Sequence, residues 1–298
     1  MVVEKKSKIV AVVVTYNRKH LLQKCLNALL AQDCPCDIIV INNASTDGTK
    51  ELLNLYLNYH YIKIHHLDNN LGGAGGFNYG MREAVLSGYE YIWLMDDDCI
   101  CNIDTLSALM HADSVLNGEY GWLASRVEWI DGSLCIMNIP KPLKKQIHSI
   151  QELEQASFVS ILFKTDVIKQ VGLPISEFFI WGDDVEYTRR ITKRFGMKAY
   201  WIRDSVVTHE MAINKGSNIA VDVIERLPRY ELAFRNEFYL YSKEGFYGYL
   251  YYHLKVAFNV LKILVKAKDN RVNRLKSLWK GYRDGIRFNP DIEYIKEV

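Results

Sequence analysis

Three consecutive carboxylates, Asp96, Asp97 and Asp98, follow the mostly apolar run Tyr91-Ile-Trp-Leu-Met95. A buried strand accepts Ile, Trp, Leu and Met but not charge. The acids therefore belong where that strand leaves its sheet, at the carboxyl edge, where open α/β sheets place their ligands. Crowded carboxylates repel one another unless a cation sits among them, and Mg2+ and Mn2+ both take carboxylate oxygen. A second acidic group, Asp183, Asp184 and Glu186, follows Phe178-Phe-Ile-Trp181. A helix dipole favours acids in its first turn, but apolar neighbours also raise a carboxylate's pKa and suit a general base. Helical spacing puts Asp183 and Glu186 on one side and Asp184 about 100° round from Asp183. His209 ends the run Val206-Val-Thr-His. Two acids and one imidazole make a sensible ligand set for Mn2+.

Four of the five residues Gly72–Gly76 are glycine. Glycine lets backbone N–H groups approach a phosphate, and a following helix adds its positive end. The stretch reads as a loop over residues 70–76 ahead of a helix from Phe77 to Leu86. It is neither a dinucleotide fingerprint nor a Walker A loop, because the third glycine and the Lys-Ser/Thr pair are missing.

The elements that must position these groups follow from periodicity. Strands are expected at residues 8–16, 37–42, 61–67 and 89–95, with helices at 18–31 and from about Ser45 between them. This alternation implies an α/β fold with a parallel, doubly wound sheet. After Asp98 the pattern changes. A helix at 103–116 leads to a hairpin of 121–130 and 133–139 about Asp131-Gly132. A mobile loop is expected at 140–156. Then come a strand at 157–163, a short helix at 165–171, and short strands at 198–201 and 205–208. Residues 210–226 read as loop and the remainder as helices.

The 298 residues are 49% apolar and 24% charged, ordinary for a globular protein. The net charge of +2 hides an asymmetry: residues 226–288 hold 14 Lys and Arg against 5 Asp and Glu. Such a basic, aromatic end suggests an anionic membrane surface, nucleic acid or another subunit. Within it, Leu250, Leu254, Ala257, Leu261 and Leu264 make one apolar face of a helix at 247–268, with a stripe of Lys255, Asn259, Lys262 and Lys266. That pattern suits packing against the rest of the chain or a second copy. It equally suits a helix lying on anionic lipid. No signal-peptide core or 18-residue apolar run is seen. The six cysteines fit no zinc signature and are expected to be reduced.

With these pieces placed, the chain resembles a family 2 glycosyltransferase of the GT-A fold. The residues that carry the resemblance are Val12-Val-Val-Thr-Tyr-Asn-Arg18, Val40-Ile-Asn-Asn-Ala-Ser-Thr-Asp-Gly-Thr49, Asp96-Asp-Asp98, Trp181-Gly-Asp-Asp-Val-Glu186 and His209. Asn69-Asn-Leu-Gly-Gly-Ala-Gly-Gly-Phe77 is similar to the galactofuranosyltransferase branch, with rhamnosyltransferases close by. Arg229-Tyr-Glu-Leu-Ala-Phe-Arg-Asn236 resembles a segment that follows the catalytic domain in those relatives. Where many members carry two acids, this chain has Asn42-Asn43.

The resemblance implies a catalytic domain over residues 1–226 and a helical region over 227–298. It implies an inverting, metal-dependent transfer of galactofuranose from UDP-galactofuranose, or alternatively of rhamnose from dTDP-rhamnose. The acceptor would be a polyprenyl-diphosphate-linked glycan in cell-surface polysaccharide synthesis of the O-antigen type, at the cytoplasmic face of the membrane. Thr15, Asn17 and Arg18 would line the nucleotide pocket, with Asn43 near the base. Gly73, Gly75, Gly76 and Phe77 would cover the diphosphate and sugar. Asp96, Asp98 and His209 would hold Mn2+ or Mg2+, and Asp97 would contact ribose or donor sugar. Asp184 would be the base, with Trp181, Asp183 and Glu186 toward the acceptor and Arg190 steadying the site. Competing readings are a Mg2+ phosphatase, which lacks its usual Thr, and a non-catalytic lipid- or glycan-binding module. Nucleic-acid binding has no supporting motif.

Overall fold

The computed structural model describes residues 7–142 and 149–295. The sequence's first strand, β1 (Ile9–Thr15), is buried along its whole length, as β-branched residues in a sheet covered on both faces should be. β2 (Asp37–Asn42), β3 (Ile62–His66) and β4 (Tyr91–Asp96) lie parallel to it in the order β3-β2-β1-β4. Val10, Val12 and Val14 face one core layer and Ala11 and Val13 the other, the period of two that strands impose. Helices α1 (Lys19–Leu30), α2 (Thr49–Leu53) and α3 (Gly72–Leu86) connect these strands. Val14 pairs with Asp96 across β1 and β4, so Thr15 and the acids leave the sheet at one edge.

Beyond β4 the sheet is mixed. The chain turns straight back after Asp98 into β5 (Cys99–Cys101), then runs through α4 (Thr105–Val115) to β6 (Trp122–Glu128). β7 (Lys141–Pro142), β8 (Ile150–Gln155), β9 (Ile161–Lys164), α5 (Thr165–Val171), α6 (Asp183–Arg189) and β10 (Ala199–His209) follow. β9 is antiparallel to both β4 and β6, and the full order is β3-β2-β1-β4-β9-β6-β10-β8-β7. β5 pairs antiparallel with the end of β10, setting Cys99 opposite His209. That pairing brings Asp98 to His209.

Three local expectations are corrected. The two short strands expected at 198–208 are one strand with an irregularity between Ile202 and Val206. The loop expected at 140–156 contains β8, hydrogen-bonded to β10; residues 143–148 of that stretch lie outside the described residues. The second arm of the expected hairpin keeps only a bridge between Glu128 and Leu134 before a single helical turn at Ile136–Asn138. The hydrophobic pattern there is satisfied by folding Cys135 under β10, where it is fully buried.

The glycine stretch is also not a loop. It forms the first turns of α3. A Cβ on Gly76 would lie 2.5 Å from Val14 Cγ1, and one on Gly80 would overlap Val12. Glycine here lets the helix backbone press directly onto β1.

Three helices follow β10: α7 (Leu227–Ser242), α8 (Gly245–Lys266) and α9 (Arg271–Arg287). Leu227, Tyr230 and Phe234 of α7 share a core with Ile263 and Leu278. On its other side Tyr239 packs against Phe178 and Ala74.

Candidate active site

One cleft of about 760 Å³ opens at the carboxyl edge of the parallel strands. Val14, Thr15, Arg18, Asn43, Gly73 and Phe77 line one side, with Asp96, Asp97, Asp98 and His209 at the floor. Trp181, Asp183 and Asp184 face them, and Arg226, Arg229 and Asn236 close the far wall.

The floor is a set of tightly paired charges. The Thr15 hydroxyl donates to Asp97 Oδ2 at 2.7 Å. Arg18 Nη1 reaches Asp97 Oδ1 at 3.5 Å and makes a close ion pair with Asp98. Oxygens of Asp96 and Asp98 and a ring nitrogen of His209 all lie within 4.8 Å of one another. His209 Nε2 stands 3.0 Å from Asp98 Oδ1, an oxygen that is buried and makes no aligned hydrogen bond. On the far side of the ring, Nδ1 is 2.9 Å from Asn138 Oδ1. An amide oxygen can only accept, so Nδ1 carries the proton there and Nε2 is the nitrogen turned to the acids. Two carboxylates and this nitrogen converge as a borderline-hard cation requires, and the residues fit Mn2+ or Mg2+.

The charges hold one another away from their ordinary values. Burial, then the Asp98 charge, pushes Asp96 up to about 7. Burial likewise pushes Asp97 up to about 6, against the pull of Arg18. For Asp98 burial acts upward but is outweighed by His209 and Arg18, which hold it below the usual carboxylate range.

The opposing wall is a turn of unusual backbone. Phe179, Trp181 and Gly182 have φ of 63°, 64° and 91°. The Ile180 N–H donates to the Phe178 carbonyl at 2.7 Å, closing a three-residue turn about Phe179. Gly182 then caps α6 in the left-handed region and releases Asp183 and Asp184 into the cleft. Burial, followed by the charge of Asp184, drives Asp183 well above the carboxylate range. Burial also lifts Asp184 to about 6, while the Val185 N–H, donating to its Oδ1 at 2.7 Å, works the other way.

Several residues expected at the site do other work. Glu186, expected toward the acceptor, points away: both its oxygens are taken by Arg190, at 2.9 and 2.5 Å. Arg190 in turn donates to the carbonyls of Val171 and Leu173. The helix rotates Asp183 and Asp184, not Asp183 and Glu186, onto the cleft. Asn43 lines the cleft, but its amide is spent on the chain: Nδ2 donates to Gly72 O at 2.8 Å and Oδ1 accepts from Leu71 N–H at 2.8 Å. Its polar atoms hold the start of α3 instead of offering an edge to a base. Asn17 sits outside the cleft, where Oδ1 accepts the Thr46 N–H at 2.7 Å and fixes the turn after β1. Gly75 and Gly76 are buried under Leu71 and Val14, leaving Gly72 and Gly73 as the cleft-lining glycines.

Sequence reasoning missed Asn138, Arg226, Arg229 and Asn236. Asn138 lay in a stretch read as strand and gave no signal. The α7 residues did give one: Arg229, Leu232, Ala233, Asn236, Glu237 and Leu240 all line the cleft at the spacing of a single helix face.

The glycosyl transferase family 2 profile matches residues 10–114, the span holding β1, the glycines and all three acids of the floor. Over those residues the chain carries a glycosyl transferase family 2 domain. Galactofuranosyltransferase GlfT1 of Mycolicibacterium smegmatis is 29% identical over 215 residues, covering 61% of this chain and 65% of the relative. The match thus spans a little under two thirds of that relative's length. Solved structures share the fold, among them two with bound nucleotide or nucleotide sugar. Staphylococcus aureus TarS in complex with UDP superposes with a TM-score of 0.54 at 18% identity, over 95% of this chain and 72% of that one. Mannosyltransferase PcManGT from Pyrobaculum calidifontis, in complex with GDP-Man and Mn2+, gives 0.56 at 16% identity, over 96% and 77%. The chain therefore has the GT-A architecture.

Proposed function

We propose that this chain is an inverting glycosyltransferase that moves galactofuranose from UDP-galactofuranose to a polyprenyl-diphosphate-linked glycan. The observation that carries the proposal is the pairing, within one cleft, of the Asp96, Asp98 and His209 set with a raised-pKa carboxylate, Asp184, on the opposite wall. The galactofuranose assignment is supported by the GlfT1 likeness, and the use of UDP by the complex formed by TarS.

The cleft's residues divide the work. Thr15 and Arg18 hold the acids in place, and Arg18 with Arg226 and Arg229 supplies positive charge along the wall. Gly73, with open space above its Cα, lets a sugar diphosphate approach the start of α3. Mn2+ or Mg2+, held by Asp96, Asp98 and His209, would neutralise charge on the departing nucleoside diphosphate. Asp184 takes the proton from the acceptor hydroxyl as that oxygen attacks the anomeric carbon from the face opposite UDP. One displacement inverts the centre. Asp183, whose protonated form burial favours, lies beside Asp184 toward the acceptor, and the Trp181 indole offers it an apolar platform.

The acceptor's lipid suits the surface that continues from the cleft. Among the described residues no helix is long and apolar enough to cross a membrane. Instead α8 exposes Tyr247, Leu250, Leu254, Phe258, Leu261 and Val265 along one face, a stripe bordered by Lys262, Lys266 and Lys268. Such a helix lies in the plane of an anionic lipid surface, here the cytoplasmic face of the membrane. The helical region from residue 227 would then serve both as wall of the cleft and as lipid contact.

The test is UDP release with Mn2+ present, offering UDP-galactofuranose, UDP-galactopyranose and dTDP-rhamnose in turn with a polyprenyl-diphosphate glycan. Turnover of UDP-galactofuranose alone, lost in Asp184→Asn and Asp98→Ala, is the expected result. Turnover of dTDP-rhamnose instead would overturn the sugar. Failure of all three donors to bind or react would overturn the transferase assignment.

A further inference from the structure

We infer that Asn236, oriented by Arg235, is a positioning residue that holds the Phe178–Gly182 turn, and with it Asp184, in its working conformation. The inference rests on the transferase reading of the cleft. Asn236 is fully buried on α7. Its Nδ2 lies 3.0, 3.2 and 2.7 Å from the carbonyl oxygens of Phe178, Ile180 and Trp181. One amide group thus gathers three carbonyls from four consecutive residues. The Phe178 carbonyl also accepts the Ile180 N–H, but among the described residues no strand or helix supplies a partner for the Ile180 and Trp181 oxygens, and unpaired they would carry a desolvation cost.

The turn needs such a clamp. Phe179 and Trp181 are not glycine, yet both have positive φ, a conformation that costs free energy and persists only where surroundings over-determine it. Phe179 has the φ and ψ, 63° and −60°, of the rare three-residue turn. Relaxation of either residue would rotate Gly182 and swing Asp183 and Asp184 away from the floor acids.

Arg235 decides which way the Asn236 amide faces. Its Nε donates to Asn236 Oδ1 at 2.9 Å, leaving Nδ2 toward the turn. Its Nη2 donates to the carbonyls of Glu177 and Phe178, at 2.7 and 3.1 Å. Arg235 and Asn236 therefore read the turn's backbone, not its side chains, which is why ordinary packing does not explain two adjacent polar residues pointed inward from α7. Gly182 is required by its φ of +91° and not by space, since a Cβ there would sit in ordinary contact with Asn236 Cβ at 3.5 Å.

The experiment uses the full chain carrying Asn236→Ala or, where that variant folds poorly, Arg235→Lys, with Tyr252→Phe as comparison. Tyr252 ties α8 to α7 through its hydroxyl on the Phe234 carbonyl at 2.8 Å and touches neither cleft nor turn, so it reports simple loosening of α7. The expected result is a fall in kcat of about 100-fold, the scale of a displaced catalytic group, with calorimetric UDP affinity in Mn2+ unchanged. The acid limb of the kcat–pH profile should move down as water reaches Asp184. Tyr252→Phe should lower the melting temperature without lowering kcat. Amide hydrogen exchange gives a readout independent of turnover: residues 178–184 should exchange faster in Asn236→Ala and Arg235→Lys than in wild type or Tyr252→Phe. Unchanged exchange at that segment overturns the inference whatever the activity, as does an unchanged kcat. A wild type that turns over no donor sinks the transferase reading instead, and that outcome is seen before any variant is compared.

Discussion

The Ala74 N–H donates to the Phe179 carbonyl across 3.1 Å, so the start of α3 and the turn carrying Asp184 are joined main chain to main chain. The close approach depends on Gly72, whose φ is +72° and whose added Cβ would fall onto that same carbonyl. Nothing lies within 4 Å of a Cβ on Gly73. Gly72→Ala should therefore cost about 2 kcal/mol or more in urea unfolding, from left-handed strain and overlap with rigid backbone. Gly73→Ala should cost less than about 1 kcal/mol, because a helical Ala in open space carries no penalty. Equal costs would show that the contact does not hold in solution.

On the proposed mechanism, the pH dependence of catalysis follows from Asp184. A base must be ionised, and burial lifts this carboxyl to about 6. kcat should be flat above that value and fall about tenfold per unit below it. Asp184→Asn should lose about 100-fold or more in kcat. The same shift has a sign for stability. A folded pKa above the unfolded value means the folded state holds the proton more tightly, so ionisation between about 4 and 6 weakens folding. Asp184→Asn should accordingly melt higher than wild type at pH 8 while being inactive. An inactive variant that melts lower would place Asp184 in the scaffold.

Glu186 should behave in the opposite way. Its side chain and that of Arg190 are almost wholly buried and paired with each other. Glu186→Gln removes the charge and leaves a buried guanidinium, which costs about 3–5 kcal/mol. The acceptor KM of the folded fraction should stay within about threefold, since a residue that touches no substrate removes no binding energy. A large KM change with unchanged urea midpoint would return Glu186 to the acceptor side.

The parallel half of the fold was legible because its strands are long, apolar and interrupted by helices with clear faces. β2 falls where periodicity puts it, and Asp96 to Asp98 leave the sheet at its edge as their charge requires. The other half was less legible, because its contacts are long-range. β8 reads as a polar loop until β10 is beside it, and β10 reads as two pieces because an irregularity breaks its alternation. Glycines at 72–76 signal close backbone approach, but sequence alone does not say to what; the structure supplies Val14 and the Phe179 carbonyl as partners. Glu186 was misplaced because a bidentate Arg190 four residues on decides which acid faces in. Asn138 and Asn236 act through single amides on distant residues, and no local pattern marks such a contact.

Asn138 gives a test of the proposed cation site that does not rely on turnover. Its Oδ1 receives His209 Nδ1 at 2.9 Å and also the Cys135 thiol at 2.8 Å. Outer partners of this kind orient a ligating ring, and their loss weakens metal binding about 10–100-fold. Asn138→Ala should raise the Mn2+ dissociation constant by that factor in calorimetry, and His209→Ala by at least as much. An unchanged affinity in both variants would remove His209 from the ligand set.

The exposed face of α8 separates lipid contact from packing. Tyr247 and Val265 are 84% and 70% exposed, and Leu254 and Leu261 lie between them at 62% and 58%. A contiguous apolar stripe of this extent marks an interaction site. The lysines around it favour an anionic surface over a second copy, since two such faces would oppose positive charge. Leu254→Glu with Leu261→Glu should abolish co-sedimentation with vesicles containing phosphatidylserine. Binding of wild type should also fall steeply as salt rises, as screening of the lysines requires. UDP affinity should be unchanged, because neither residue lines the cleft. If the double variant instead converts a dimer to a monomer while vesicle binding persists, the stripe is a subunit contact and the lipid assignment fails.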